Sequence, residues 1–101
     1  MEKNLSVGAL LDVYGFFLSE KQRRIMVCYF DDDLSLTEIA ENEGTTRQAV
    51  SDIIRRGEAQ LMKYESECGY QKKISDLRKI CGLDIGEKEK IALISAVIED
   101  F

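Results

Sequence analysis

The sequence predicts an all-α fold, a helix-turn-helix with additional C-terminal helices. Three observations lead there. Apolar residues recur at three- and four-residue steps along the chain, the period of helices that bury one face. None of the 101 residues is proline, so no position is barred from a helix interior. Ala40 and Gly44 stand where two short helices joined by a tight turn need a small contact residue and a residue tolerant of positive φ.

Each element has its own signal. Leu10, Leu11, Tyr14, Phe17 and Leu18 form one stripe from about residue 5 to 18, in which Gly8 and Gly15 each cost about 1 kcal/mol of helix propensity that packing must supply. Ser19 with Gln22 is a capping-box signature, opening a helix whose buried face is Ile25, Met26, Cys28, Tyr29 and Phe30. Asp31, Asp32 and Asp33 end it as a solvated terminus, since the run lacks the alternating ligands and glycine of a calcium loop. Ser35 with Glu38 repeats the capping box and starts a short helix carrying Leu36, Ile39 and Ala40, which Gly44 stops.

Thr46 caps a fourth helix beginning at Arg47. Its stripe runs through Val50, Ile53, Ile54, Leu61 and Tyr64 toward Cys68, with Gly57 a candidate bend and Gly69 a break. Ile74, Leu77, Ile80 and Cys81 form the next stripe, closed by Gly82; Asp84 with Glu87 is expected to cap a last helix bearing Ile91, Ile94, Val97 and Ile98. The length suits one helical domain over 1–101, with a helix-turn-helix core at 19–66 and a C-terminal helical extension at 70–101.

Composition narrows the chemistry. The chain has no histidine, which removes the commonest general base and metal ligand. Cys28, Cys68 and Cys81 lack paired two-residue spacing, so no metal site and no cofactor is expected, and all three thiols are read as structural. A nucleophile pair and a phosphate loop are also missing, which argues against an enzyme. The longest uncharged stretches are far shorter than the ~20 residues of a membrane-spanning helix, and no cleavage signal follows Lys3. A cytoplasmic protein is expected.

Charge is uneven. Asp31, Asp32, Asp33, Glu38, Glu41 and Glu43 make residues 31–46 strongly acidic, whereas residues 47–79 are net basic, so an acidic molecule of net charge −5 can still present a local basic face. On a helical wheel, Ala49, Val50, Ile53 and Gly57 fall on one side of the fourth helix, and Gln48, Ser51, Asp52 and Arg55 on the other, with Arg47 at the first turn. In a major groove Gln48 suits adenine, Arg47 or Arg55 suits guanine or a phosphate, and Ser51 a phosphate or base edge. Asp52 repels phosphates unless it accepts from a cytosine amino group or pairs with a neighbouring arginine. Thr46, Arg47, Gln48, Ser51, Asp52, Arg55 and Arg56 are therefore the candidate nucleic-acid-binding residues, with Lys63 a further phosphate candidate. The stripes at Leu61, Tyr64 and Cys68 and at Ile74, Leu77 and Cys81 are either core or a seam for a homodimer.

The run Leu18-Ser19-Glu20-Lys21-Gln22-Arg23, then Asp32-Asp33-Leu34-Ser35-Leu36-Thr37-Glu38-Ile39-Ala40-Glu41, then Thr46-Arg47-Gln48-Ala49-Val50-Ser51-Asp52, followed by Glu58 and Tyr64-Glu65, resembles the YlxM-like family over roughly residues 14–73. The resemblance implies a fold similar to the promoter-reading C-terminal domain of sigma factors. It also implies a regulatory or accessory role tied to the bacterial signal recognition particle. Two expectations follow. The first is a regulator that binds nucleic acid, DNA ahead of RNA; the second is a protein-interaction factor that docks on the signal recognition particle or its GTPase without binding DNA.

Overall fold

The computed structural model describes residues 6–101, and the expected start of the first stripe at residue 5 lies outside them. Helix α1 (Ser6–Tyr14) buries Val7, Leu10, Leu11 and Tyr14, whose three- and four-residue spacing puts them on a single face. It stops earlier than the apolar stripe suggests. A 3-10 turn at Gly15–Phe17 changes the helical pitch, so Leu18 returns to the core while Phe17, expected inside, stays 58% exposed. Phe17 instead meets Phe16 and the Tyr64 ring, with centroids 4.2 and 5.5 Å away.

Helix α2 (Glu20–Phe30) starts where Ser19 Oγ accepts from the Gln22 backbone N–H at 3.2 Å. Ile25, Met26 and Tyr29 are buried, and Cys28 and Phe30 pack half-buried against them. The aspartate run makes a formed turn: the Asp32 N–H returns to the Val27 carbonyl, the Leu34 N–H to that of Cys28, and Asp33 adopts φ 60°. Short polar residues tolerate that left-handed conformation better than branched ones.

Helix α3 (Leu36–Glu43) opens with a complete capping box, Ser35 Oγ accepting from Glu38 N–H and Glu38 Oε1 from Ser35 N–H, each at 3.1 Å. It closes at Gly44, whose φ of 65° lets the Thr45 N–H reach the Ala40 carbonyl and its own N–H reach that of Glu41. This is a Schellman closure, in which the last carbonyls of the helix find donors without a side chain. Thr46 Oγ1 then accepts from Ala49 N–H at 3.1 Å and starts α4 (Arg47–Cys68).

At 22 residues α4 is about 33 Å long, and it runs unbroken through Gly57, so no bend forms there. The glycine serves close approach instead. A Cβ built on Gly57 would lie 2.1 Å from Met26 Sδ, so the missing side chain is what lets α4 lie against α2. Val50, Ile54 and Leu61 of α4 join Ile39 and Ala40 of α3 and the apolar faces of α1 and α2 in one core. Ile53 and Tyr64 are half-buried beside it, and Cys68, expected on the same stripe, is exposed.

The chain divides into two compact units, one ending at Glu67 and one spanning Cys68–Phe101. In the second, Gly69 breaks the chain at φ 66° before α5 (Tyr70–Cys81), which packs against α6 (Glu87–Glu99). The last helix is capped at Gly86 and not by Asp84, because Gly86 already holds the extended N-cap conformation immediately before Glu87. Neither helix has a fully buried residue. Ile74, Leu77, Ile80, Ile94 and Val97 are half-buried, whereas Ile91 and Ile98, expected on the same stripe as Ile94 and Val97, are 63% and 56% exposed, and Cys81 is exposed too. Two helices alone cannot enclose both apolar faces. A stacked pair at the open end, Tyr70 on Phe101 with centroids 5.7 Å apart, and Lys73 over the Phe101 ring, hold the C-terminus to α5.

Candidate nucleic-acid interface

The corner between α3 and α4 depends on contacts from outside the motif. Glu43 sits in the last turn of α3, where the helix dipole disfavours a carboxylate. Arg24 of α2 offsets this with a two-pronged contact, Nε to Oε2 at 3.0 Å and Nη2 to Oε1 at 2.7 Å. That hydrogen bonding, with the attraction of the two charges, holds the Glu43 carboxyl below the usual carboxylate range and raises Arg24 above its own. On the far side of the core the Tyr14 hydroxyl donates to Glu65 Oε1, tying α1 to the later turns of α4.

With the corner held, the first turns of α4 project a polar face. Thr46, Arg47, Gln48, Arg55 and Arg56 are exposed. Asp52 links three of its neighbours. Gln48 Nε2 donates to Asp52 Oδ1 at 3.0 Å, Arg55 Nη2 stands 3.8 Å from the same oxygen, and Arg56 Nε donates to the Asp52 carbonyl at 3.4 Å. The carboxylate is thus paired with Arg55, one of the two arrangements in which the sequence can accommodate it beside phosphates.

Ser51 departs from the wheel. It is only 8% exposed, and its Oγ accepts from Arg55 Nη2 at 3.2 Å. It lines the floor of an open depression of about 460 Å³ bordered by Leu36, Arg47, Gln48 and Arg55. The wheel treats the helix as lying on a flat support, whereas Leu36 of α3 lines the same depression as Ser51. Sequence spacing also gave no sign that Arg56 and Gln60 face Lys21 and Gln22 across a cleft between α2 and α4, because that approach depends on Gly57 and Met26 meeting. Lys63 is exposed farther along α4.

Among the described residues, no three His, Cys, Asp or Glu side chains cluster as a metal site, and no helix is long and apolar enough to cross a membrane. Glu58, half-buried on α4, has its carboxyl raised above the usual range by desolvation.

A short helix, a glycine corner and a second helix presenting polar side chains to solvent define a helix-turn-helix protein. The chain belongs to the UPF0122 family, described as "Putative helix-turn-helix protein, YlxM / p13 like", whose model matches residues 1–96. It is 37% identical to a UPF0122 protein of Clostridium acetobutylicum over 99% of this chain and 95% of that one. It is 51% identical to a UPF0122 protein of Clostridium botulinum over 66% of this chain and 62% of that protein. A UPF0122 protein of Clostridium perfringens is 41% identical over 79% of this chain and 71% of its own length.

Proposed function

We propose that the protein is a regulatory helix-turn-helix factor that binds nucleic acid, DNA ahead of RNA, through the first turns of α4. The observation that carries this reading is the exposed row Arg47, Gln48 and Arg55 beside a structured glycine corner. Arg47, Arg55 and Arg56 supply charge for phosphates or guanine, and Gln48 suits adenine. Thr46 fixes where the helix begins, Ser51 orients the Arg55 guanidinium, and Asp52 keeps Gln48 and Arg55 together. Occupancy, not catalysis, is the mode of action, in the cytoplasm.

Three phosphate contacts per chain predict that log affinity falls against log salt with a slope of about −2.7. The exposed Ile91 and Ile98 of the second unit favour a homodimer, which would double the number of contacts. The test is titration of duplex DNA and of RNA with the parent and with an Arg47→Ala, Arg55→Ala double variant. Weaker binding by the variant supports the reading, and unchanged binding to every nucleic acid refutes it.

The exposed Asp31, Asp32, Glu38 and Glu41 favour a second reading, docking on a basic partner such as the RNA-binding protein of the signal recognition particle. Retention on that particle after nuclease treatment supports docking, and loss after nuclease supports nucleic-acid bridging.

A further inference from the structure

Three depressions on the first unit share residues and form a continuous track. The first lies beside Arg47, Gln48 and Arg55; the second is bordered by Asp52, Arg55 and Arg56. Arg56 also borders a third, the cleft of about 460 Å³ between α2 and α4. The polar face of α4 therefore continues past Arg56 and around onto α2.

The chemistry of this cleft is specific. Ile53 and Ala59 give its lining an apolar part, and Lys21, Gln22, Arg56 and Gln60 a polar one. Its lining carries two cations and two amide side chains and no carboxylate. An apolar part of the lining suits the face of a sugar ring, and cations with neutral donors suit a phosphodiester. From Arg47 to Arg56 the helix axis advances ~14 Å, about four base-pair steps of a duplex.

We infer that the cleft between α2 and α4 is a backbone-phosphate subsite for the same nucleic acid, with Lys21 and Arg56 neutralising the phosphate and Gln22 and Gln60 donating to it. This rests on the reading given under Proposed function and extends it to a second helix. Because a phosphate contact carries no base information, the subsite fixes register and adds affinity equally for all sequences. Lys21 brings the count to four contacts and steepens the expected slope to about −3.6 per chain.

The experiment is a fluorescence-anisotropy titration of the full chain with short labelled duplexes of two unrelated sequences, between about 50 and 200 mM salt. Lys21→Ala should weaken both duplexes by the same factor and reduce the steepness of the slope by about 0.9. Because Lys21 also contributes to the field at Glu43, a second variant, Ala59→Glu, tests the cleft separately by placing a negative charge at an exposed helix position. It should weaken both duplexes while leaving the thermal melt unchanged.

Parent-like affinity and slope in both variants overturn the subsite while leaving the α4 reading intact. A loss with Lys21→Ala but not with Ala59→Glu assigns the effect to the Glu43 corner and also overturns it, and so does a loss confined to one sequence. If the parent binds neither duplex, the α4 reading fails and the subsite falls with it.

Discussion

Replacing Gly57 with alanine sets two forces against each other at one atom. In a helix interior the change favours folding by about 1 kcal/mol, because alanine loses less backbone entropy. Against this, the new Cβ would lie 2.1 Å from Met26 Sδ and 2.9 Å from Met26 Cε, where carbon contacts are comfortable at roughly 3.5–4.0 Å. The sulfur must retreat by well over an ångström inside a core where Met26 has no exposed surface. Such overpacking costs about 1–3 kcal/mol, and a fully enclosed neighbour puts the cost in the upper half of that range. Gly57→Ala should therefore destabilise the protein by about 1–2 kcal/mol, read as a lower urea midpoint at unchanged slope. A double-mutant cycle identifies the cause: Met26→Ala alone should cost about 2–5 kcal/mol. Combined with Gly57→Ala the loss should fall short of the sum by about 0.5–3 kcal/mol, because the added methyl enters the vacated space. A Gly57→Ala protein more stable than the parent, or strict additivity with Met26→Ala, would show that the two helices do not meet through this glycine.

Gly44→Ala meets no atom within 4 Å, so its expected cost of about 1–2 kcal/mol comes from holding an alanine at φ 65°, and thermal unfolding should show it. Glu43 has a folded pKa below its unfolded value, so its contribution to stability is present above the unfolded pKa and is lost as pH falls through the folded one. Arg24→Ala should flatten that acid limb in urea titrations run at stepped pH. Glu58 has the opposite sign: its raised pKa means that burying the charged form opposes folding at neutral pH and that protonation relieves the cost. Glu58→Gln should raise the neutral-pH midpoint and remove that relief on acidification.

The elements legible in the sequence are those whose cause lies within four residues. Ser35 with Glu38, Thr46 before Arg47, and Gly44 at the corner are local chemistry, and each does what its spacing predicts. The residues that depart from expectation are governed by distant partners. Gly57 reads as a bend until Met26 is seen against it, and Ser51 reads as exposed until Leu36 lines the same depression. Phe17 follows the helical period of α1, but the chain leaves that period at Gly15. In the second unit, Ile91 and Ile98 have helical spacing, yet a two-helix hairpin has no third face to cover them. Asp84 failed as a cap for a simpler reason, because Gly86 stands next to the first turn and Asp84 does not.

The candidate interface was legible in the same way. The exposure of Arg47, Gln48 and Arg55 follows from the wheel, as does the reach of Asp52 to residues three and four positions away. The meeting of Arg56 with Lys21 and Gln22 does not, because it crosses between helices far apart in sequence.

Amide chemical-shift mapping of the labelled protein titrated with duplex DNA tests the central claim most directly. The account predicts that the largest changes gather at Arg47, Gln48, Asp52 and Arg55, with smaller ones at Arg56. Changes confined to residues 68–101, or none at saturating duplex, would contradict it.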